Sequence, residues 1–521
     1  MSGAMRAWIR TRAEATPASL ALRTAERSLS FAELAREAEA IARGLRAAGV
    51  RRGDRVAALL ENGAGFVALV HAAQLAGATI VPLNLRLAPP ELAFQLGDAD
   101  VALLVCGAAV AAERGREAAT RLDVRCVSLA DLALLAAGAD MGAALLSARG
   151  GRDDLAAPAT HERFELSAPA ALLYTSGTSG RPKGALLSHE SFLWSAVGSA
   201  FHLGTLPSDR WLACMPLFHV GGLSIVLRSV LAGSAVVLHE RFDAEAAARA
   251  LEEDGITLAS FVPTMLQRVL DARGERPAPA GLRAVLLGGA AAPAALLERA
   301  AKLGFPVLPT YGLTEAASQV ATLPLGAPLR PDGGGLRPLL GTEIRIVDHA
   351  GAVLPVGEAG EIVVRGRTVM SGYHDLPEET ARVLAGGWLR TGDIGVLDGG
   401  GALRVIDRRD DLVVSGGENV YPAEVEAALL AHPEVSDVGV AGLPDADLGQ
   451  RVAAWVALRP GARADAAELE RFVRARLAGF KVPRVFRFVE ALPRNAAGKL
   501  SRRELADVEG GNGGAPRPER E

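Results

Sequence analysis

Leu172-Leu173-Tyr174-Thr175-Ser176-Gly177-Thr178-Ser179-Gly180-Arg181-Pro182-Lys183-Gly184 is an apolar run that breaks into glycines, hydroxyl side chains and a lysine. The apolar part reads as a strand. The glycines let backbone N–H groups turn toward an anion, the hydroxyls add donors, and Lys183 adds a positive charge. Together they predict a phosphate cradle at the end of a strand, which belongs to an α/β fold. It is not a Walker A loop, because Pro182 stands where that pattern requires the glycine before its lysine. The bland alternative is a flexible Ser/Gly loop. The preceding strand and the Arg181-Pro182-Lys183-Gly184 ending speak against it.

The flanking sequence has the rhythm such a fold needs. Phe31 to Ala48 repeats its apolar residues at helical spacing behind Ser30, a side chain suited to an N-cap. Asp54 to Leu60 reads as a strand, Gly63 to Leu75 as a helix and Ala78 to Leu83 as a strand. Downstream come a strand at Trp211 to Met215 and a helix at Gly222 to Leu231. Short strands follow at Ala235 to Leu238, Leu258 to Val262, Ala284 to Leu287 and Pro306 to Pro309. Strands alternating with helices predict a mostly parallel sheet, here two stacked α/β lobes. After Gln319 the texture changes to short strands spaced by Gly and Asp turns, at Glu343 to Val347, Glu361 to Val364 and Leu403 to Ile406. This predicts a small β-rich subdomain. The charged cluster Asp407-Arg408-Arg409-Asp410-Asp411 precedes a compact α+β segment, with helices at Pro422 to Ala431 and Ala466 to Ala478. Strands are expected near Val435 to Gly442 and Val452 to Leu458. The expected organisation is an N-terminal domain over residues 1–409, a small C-terminal domain over 410–508, and a disordered, Gly/Pro/charge-rich tail over 509–521.

Composition bounds the function. The chain has 521 residues, more than one domain usually holds, and its hydrophobic content of 50% is ample for large cores. A formal charge of -4 gives no broad attraction to nucleic acid or to an anionic membrane. No apolar run is long enough to span a bilayer and the first residues lack a signal-type core, so a cytoplasmic protein without membrane insertion is expected. The three cysteines, Cys106, Cys126 and Cys214, are far apart in sequence, which argues against a disulfide framework. Whether the chain forms a homo-oligomer stays open.

Several motifs recur in order along the chain. They are the phosphate-type loop, Gly288-Gly289-Ala290-Ala291-Ala292-Pro293 after a strand, Tyr311-Gly312-Leu313-Thr314-Glu315, and Arg390-Thr391-Gly392-Asp393. The charged cluster, Ser415-Gly416-Gly417-Glu418-Asn419-Val420-Tyr421-Pro422 and Pro493-Arg494-Asn495-Ala496-Ala497-Gly498-Lys499-Leu500 follow. Taken singly, Thr-Glu is often a helix cap, Thr-Gly-Asp a common turn and an exposed lysine merely solvated. In this order the set resembles the adenylate-forming superfamily of acyl-CoA synthetases, luciferases and peptide-synthetase adenylation domains, and the likeness covers nearly the whole chain.

That resemblance implies an acid–thiol ligase using ATP, Mg²⁺ and CoA through an acyl-adenylate. It implies ATP contacts from Thr175, Ser176, Gly177, Thr178, Ser179, Gly180, Lys183, Gly289 and Ala290. The Tyr311 ring would pack on adenine, Thr314 would meet phosphate and Glu315 would hold Mg²⁺, a hard cation that prefers carboxylate oxygen. Asp393 would accept both ribose hydroxyls, and Arg408 would contact ribose or phosphate. Asp410 would be the hinge of a mobile C-terminal domain. Lys499 would neutralise charge building at the α-phosphate, and Gly417, Glu418 and Asn419 would serve thioester formation.

Pro216-Leu217-Phe218-His219-Val220-Gly221-Gly222 lies where members of that superfamily begin the acid pocket. His219 would gate the carboxylate and thiol channel, unless it is simply a core histidine. Amino-acid-activating members place an acidic residue in this region; none stands between Trp211 and Val237, so an amino acid is disfavoured. The charge that does appear is Arg228, in an otherwise apolar helix. Snorkelling to solvent is the bland reading; attraction of a second substrate carboxylate is the sharp one. The runs Asp209 to Leu212, Pro216 to Gly222, Val237 to Phe242, Val285 to Pro293 and Tyr311 to Thr322, with Ser318 and Gln319, are particularly similar to the superfamily's o-succinylbenzoate–CoA ligase branch of menaquinone biosynthesis. That acid has two carboxylates. The near alternative is a benzoate-type or medium-chain acyl-CoA synthetase; the alternative of another class is a carrier-protein-loading module.

Overall fold

The computed structural model describes residues 3–107, 109–138, 163–176, 181–290, 292–407, 412–493, 500 and 502–507. The chain divides into two compact units. The first comprises Met1–Leu85, Gln95–Tyr174 and Gly184–Ile406, and the second Arg86–Phe94, Thr175–Lys183 and Asp407–Glu521.

The larger unit is built on two α/β sheets. The seven-stranded sheet runs Gly372–Tyr373, Pro182–Ser188, Pro169–Ser176, Thr79–Pro82, Arg55–Leu59, Val101–Cys106 and Arg125–Ser128. Arg55–Leu59 pairs in parallel with both Thr79–Pro82 and Val101–Cys106. The nine-stranded sheet keeps the parallel block Ala235–Leu238, Arg210–Ala213, Leu258–Phe261, Ala284–Leu287 and Val307–Leu313. Its far edge turns antiparallel where Ser318–Thr322 folds back on Val307–Leu313. All four residues of Ala284–Leu287 and of Ala235–Leu238 are buried, as parallel strands covered on both faces should be. The helix read at Phe31 to Ala48 is Phe31–Ala47. Its Ser30 and Glu33 cap each other reciprocally, the Ser30 N–H donating to Glu33 at 2.8 Å.

The β-rich part is a five-stranded antiparallel sheet of Thr342–Val347, Gly360–Gly366, Trp388–Leu397, Leu384–Ala385 and Leu403–Asp407. Thr391-Gly392-Asp393 is not a free turn but lies within the ten-residue strand Trp388–Leu397, where the pairing register slips. Gly392, at φ 72°, supplies the left-handed residue that such a bulge uses.

The smaller unit has its own sheet and core. The hairpin Val435–Asp445 with Gly449–Leu458 is longer than the two strands read there, and Val485–Phe488 joins it in parallel. Val438, Val440, Val452, Val456, Leu469 and Val473 fill the space between sheet and helices.

Cysteines far apart in sequence prove close in space. Cys106 and Cys126 sit on neighbouring parallel strands two register positions apart, with Sγ atoms separated by 2.8 Å as free thiols. Cys214 is a buried small side chain whose thiol is pushed up to about 12 by burial, and is therefore inert near neutrality.

Two histidines are held neutral by the core of the larger unit. His71 on Ala64–Ala76 is pushed down to about 4 by burial, and His189, against Phe164 and Trp8, to about 3. Below pH 6.5 the unfolded chain takes up protons that the native side chains refuse. Their stabilisation is thus fully present above about pH 6.5 and is lost as pH falls toward 4 and 3. Each should contribute a slope of about 1.4 kcal/mol per pH unit across that range. Urea midpoints should drop steadily from pH 6.5 to 4.5, and His71→Leu should flatten the slope. Midpoints independent of pH over this interval would contradict the assignment.

Candidate active site

Tyr311-Gly312-Leu313-Thr314-Glu315 straddles the end of strand Val307–Leu313 and the 3₁₀ turn Thr314–Ala316. The following strand returns at once, and Gly312 lies opposite Gln319. A Cβ on Gly312 would stand 1.9 Å from the carbonyl oxygen of Ser318, so glycine is required there. The return is tight enough that Ala317 and Ser318 adopt φ of 52° and 94°. Such backbone costs about 1–3 kcal/mol per residue and persists only where the surroundings over-determine it.

Two motifs distant in sequence meet through one hydrogen bond, the Tyr311 hydroxyl donating to Asp393 Oδ2 at 2.7 Å in a buried position. The Asp393 N–H donates to Thr391 Oγ1 at 3.1 Å, and Thr391 donates to the Ile362 carbonyl at 2.7 Å. Aromatic ring and carboxylate therefore form one rigid assembly. Gly289, at φ 84°, follows strand Ala284–Leu287 with Ala290 beside it. A Cβ on the preceding Gly288 would meet the Thr310 carbonyl oxygen at 2.9 Å.

Sequence reasoning missed Tyr373. Its hydroxyl donates to Glu315 Oε1 at 2.8 Å, while the Met370 N–H donates to the Glu315 carbonyl at 2.8 Å. The His374 N–H reaches the carbonyl of Gly184 at 2.8 Å. One short segment thus fixes both the Glu315 side chain and the exit of the phosphate-type loop. The available signal was a Gly-Tyr pair in a polar stretch, with no spacing to tie it to Glu315. Among the described residues no three metal-ligating side chains cluster. A single held carboxylate suits Mg²⁺, which keeps several waters and takes its other ligands from nucleotide phosphates.

Asn62 was also missed. Its amide donates to the carbonyls of Met215 and His239 at 3.0 and 3.2 Å, and its oxygen accepts from the Leu217 N–H at 2.9 Å. This sets the loop leading to His219, the N-cap residue of helix Val220–Ala232, whose ring lies 4.6 Å from that of Phe218.

Arg228 projects from the same helix, about 13 Å further along its axis by the rise per residue. It does not snorkel. Its relative exposure is 5%, its Nη2 donates to Ser195 Oγ at 3.1 Å, and its Nε is buried without a hydrogen-bond partner. Burial pushes the guanidinium down to about 9, and among the described residues no carboxylate pairs with it. Gln319, expected in the acid pocket, donates to Thr322 at 3.0 Å, and its Oε1 is buried without a partner.

In the smaller unit, Gly416 and Gly417 take φ of 57° and 82° and close a two-residue hairpin between Val413–Ser415 and Glu418–Val420. The expected loop is therefore a hairpin. Glu418 is buried and accepts from Arg86 at 3.3 Å, whereas Asn419 is exposed. Lys481 donates to Glu91 at 2.7 Å and to Glu424 at 2.8 Å, all three buried, a cluster that sequence reading did not find. Thr175 and Lys183 are at or near strand ends flanking residues 177–180. Gly177, Thr178, Ser179, Gly180, Arg408, Asp410 and Lys499 lie outside the described residues, and Ser176 is described by its backbone alone.

The AMP-binding enzyme family matches residues 9–374, and the AMP-binding enzyme C-terminal domain matches residues 424–499. The chain is 44% identical over 498 residues to the 2-succinylbenzoate–CoA ligase of Geobacillus kaustophilus, covering 96% of each. A double mutant of the o-succinylbenzoate CoA synthetase of Bacillus subtilis, bound to its product analogue, overlays with a TM-score of 0.88 at 37% identity, covering 98% of this chain and 99% of that one. The Bacillus subtilis enzyme in complex with ATP and magnesium ion overlays with a TM-score of 0.70 at 36% identity, covering 97% of this chain and all of that one.

Proposed function

Because the chain belongs to the AMP-binding enzyme family, we propose that it is an ATP-dependent acid–CoA ligase whose acid is o-succinylbenzoate. The substrate carboxylate attacks the α-phosphorus of ATP, pyrophosphate leaves, and the acyl-adenylate then gives its acyl group to the thiol of CoA with release of AMP. No covalent bond to the protein is required, so the work of the chain is positioning and neutralisation of phosphate charge. The Tyr311–Asp393 pair suits a nucleoside, the ring facing the base and the carboxylate the ribose hydroxyls. The phosphate-type loop with Lys183, together with Thr314, suits the triphosphate. Glu315, held by Tyr373, suits Mg²⁺, which when bound neutralises phosphate oxygens. Lys499 serves adenylation, and Gly417, Glu418 and Asn419 serve the thiol step after a hinge change at Asp410. The proposed division is residues 1–409, 410–508 and a 509–521 tail.

The choice of acid rests on Arg228. A buried guanidinium without a carboxylate is costly unless a ligand supplies one. o-Succinylbenzoate carries one carboxylate to activate and one to spare; His219, Ser318 and Gln319 complete the proposed pocket. Such a ligase makes an intermediate of menaquinone synthesis, and free thiols suit a cytoplasmic setting. No described helix is long and apolar enough to cross a membrane.

The test is CoA-thioester formation with Mg·ATP, CoA and a panel of o-succinylbenzoate, benzoate, octanoate and amino acids, read by mass. o-Succinylbenzoyl-CoA should dominate. Preference for another acid would discard this acid while keeping the ligase, and AMP release without thioester would point to a carrier-protein acceptor.

A further inference from the structure

The buried Arg228 is tied to the turn carrying Thr314 and Glu315 through a single hydroxyl. Ser195, on helix His189–Leu203 and 1% exposed, accepts from Arg228 Nη2 at 3.1 Å and donates to the Ala317 carbonyl at 2.7 Å. The polarity of this relay is forced. Arginine has only donors, so Ser195 Oγ must accept from it, and its one proton is left for Ala317. Ala317 closes the Thr314–Ala316 turn. Its N–H donates to the Thr314 carbonyl at 3.1 Å, and its own φ is 52°. The carbonyl that Ser195 holds therefore belongs to the strained residue that ends the turn. Three elements converge on one oxygen atom: the helix with Arg228, the helix with Ser195, and the turn with the proposed phosphate and Mg²⁺ ligands.

We infer that Ser195 is a positioning residue that couples recognition of the substrate's second carboxylate to the geometry of the Thr314–Glu315 turn, so that a dicarboxylate is adenylated faster and not merely bound more tightly. The inference rests on the reading of Arg228 given above. A carboxylate drawn to Arg228 orients the guanidinium, the guanidinium orients the Ser195 hydroxyl, and the hydroxyl fixes Ala317. An acid without that group leaves Arg228 and the turn less well held during attack at phosphorus.

Adenylation kinetics, followed by pyrophosphate release, would compare o-succinylbenzoate with 3-benzoylpropionate, an aryl keto acid with a single carboxylate. The wild-type enzyme should show the higher kcat with the dicarboxylate; equal kcat and KM for the two acids would remove the Arg228 reading itself, and this inference with it. Given that preference, Ser195→Ala should lower kcat for o-succinylbenzoate about tenfold, the scale of a hydrogen bond to a charged group. Its KM should change less than about threefold. The monocarboxylate should be nearly unaffected, and Ser195→Thr, which keeps the hydroxyl, should recover most of the loss. A rise in KM with unchanged kcat would overturn the coupling while leaving Arg228 as the carboxylate site. Equal losses with both acids would reduce Ser195 to a structural residue and also overturn it. If Ser195→Ala does not fold, Ser195→Cys, similar in volume but a weak donor, carries the same comparison.

Discussion

Arg228→Met is expected to lower kcat/KM for o-succinylbenzoate about 100-fold, while changing that for 3-benzoylpropionate less than about threefold. Losing one partner of a buried charge pair typically costs about 2–5 kcal/mol, which sets the scale of the first effect. The small second effect follows because a monocarboxylate offers Arg228 no partner to lose. The same substitution should raise the melting temperature of the ligand-free protein by several degrees. Burying a charge costs several kcal/mol, and here the Nε finds no partner. Methionine fills much of the volume and removes that cost. Opposite signs for stability and activity would mark a side chain kept for its ligand. Steady-state kinetics with both acids and a thermal melt provide the check. Equal losses with both acids would mean that Arg228 merely supports the fold of its helix.

Lys499→Ala is expected to reduce acyl-adenylate formation about 1,000-fold, the upper range for removing one preorganised group from developing charge. Thioester formation from synthetic acyl-adenylate and CoA should change less than about threefold, because the thiol displaces AMP by breaking the acyl carbon–oxygen bond of the mixed anhydride, and no bond to phosphorus is made or broken. Pyrophosphate exchange reads the first half-reaction, and mass detection of the thioester reads the second. Loss of both together would show that Lys499 is not specific to adenylation, and full retention of exchange would remove it from the mechanism.

Most of the proposed nucleotide site could be read from the sequence because its parts are local. A phosphate loop needs glycines, hydroxyls and a lysine within a dozen positions, and the Tyr311 to Glu315 run keeps its ring, hydroxyl and carboxylate on five consecutive residues. The α/β rhythm was legible for a similar reason. Apolar strands such as Ala284–Leu287 and helices with one apolar face carry their period in a short window. What stayed hidden lies in pairings across long gaps. Tyr373 reaches Glu315 across 58 positions, Tyr311 reaches Asp393 across 82, and Lys481 reaches Glu91 across 390.

The sequence by itself determined the fold class, the order of the motifs and the class of reaction, since each depends on residue types at short spacing. It also identified Arg228 as a charge out of place. Only the tertiary structure decided that Arg228 stays buried rather than snorkelling, because that depends on what neighbouring elements offer its five N–H donors. Likewise Gln319 turned toward Thr322, Glu418 became part of a hairpin, and Cys106 met Cys126 across parallel strands. In each case a side chain's partner is chosen by packing and by the need to satisfy buried polar groups, and neither constraint is written in the spacing of residues along the chain.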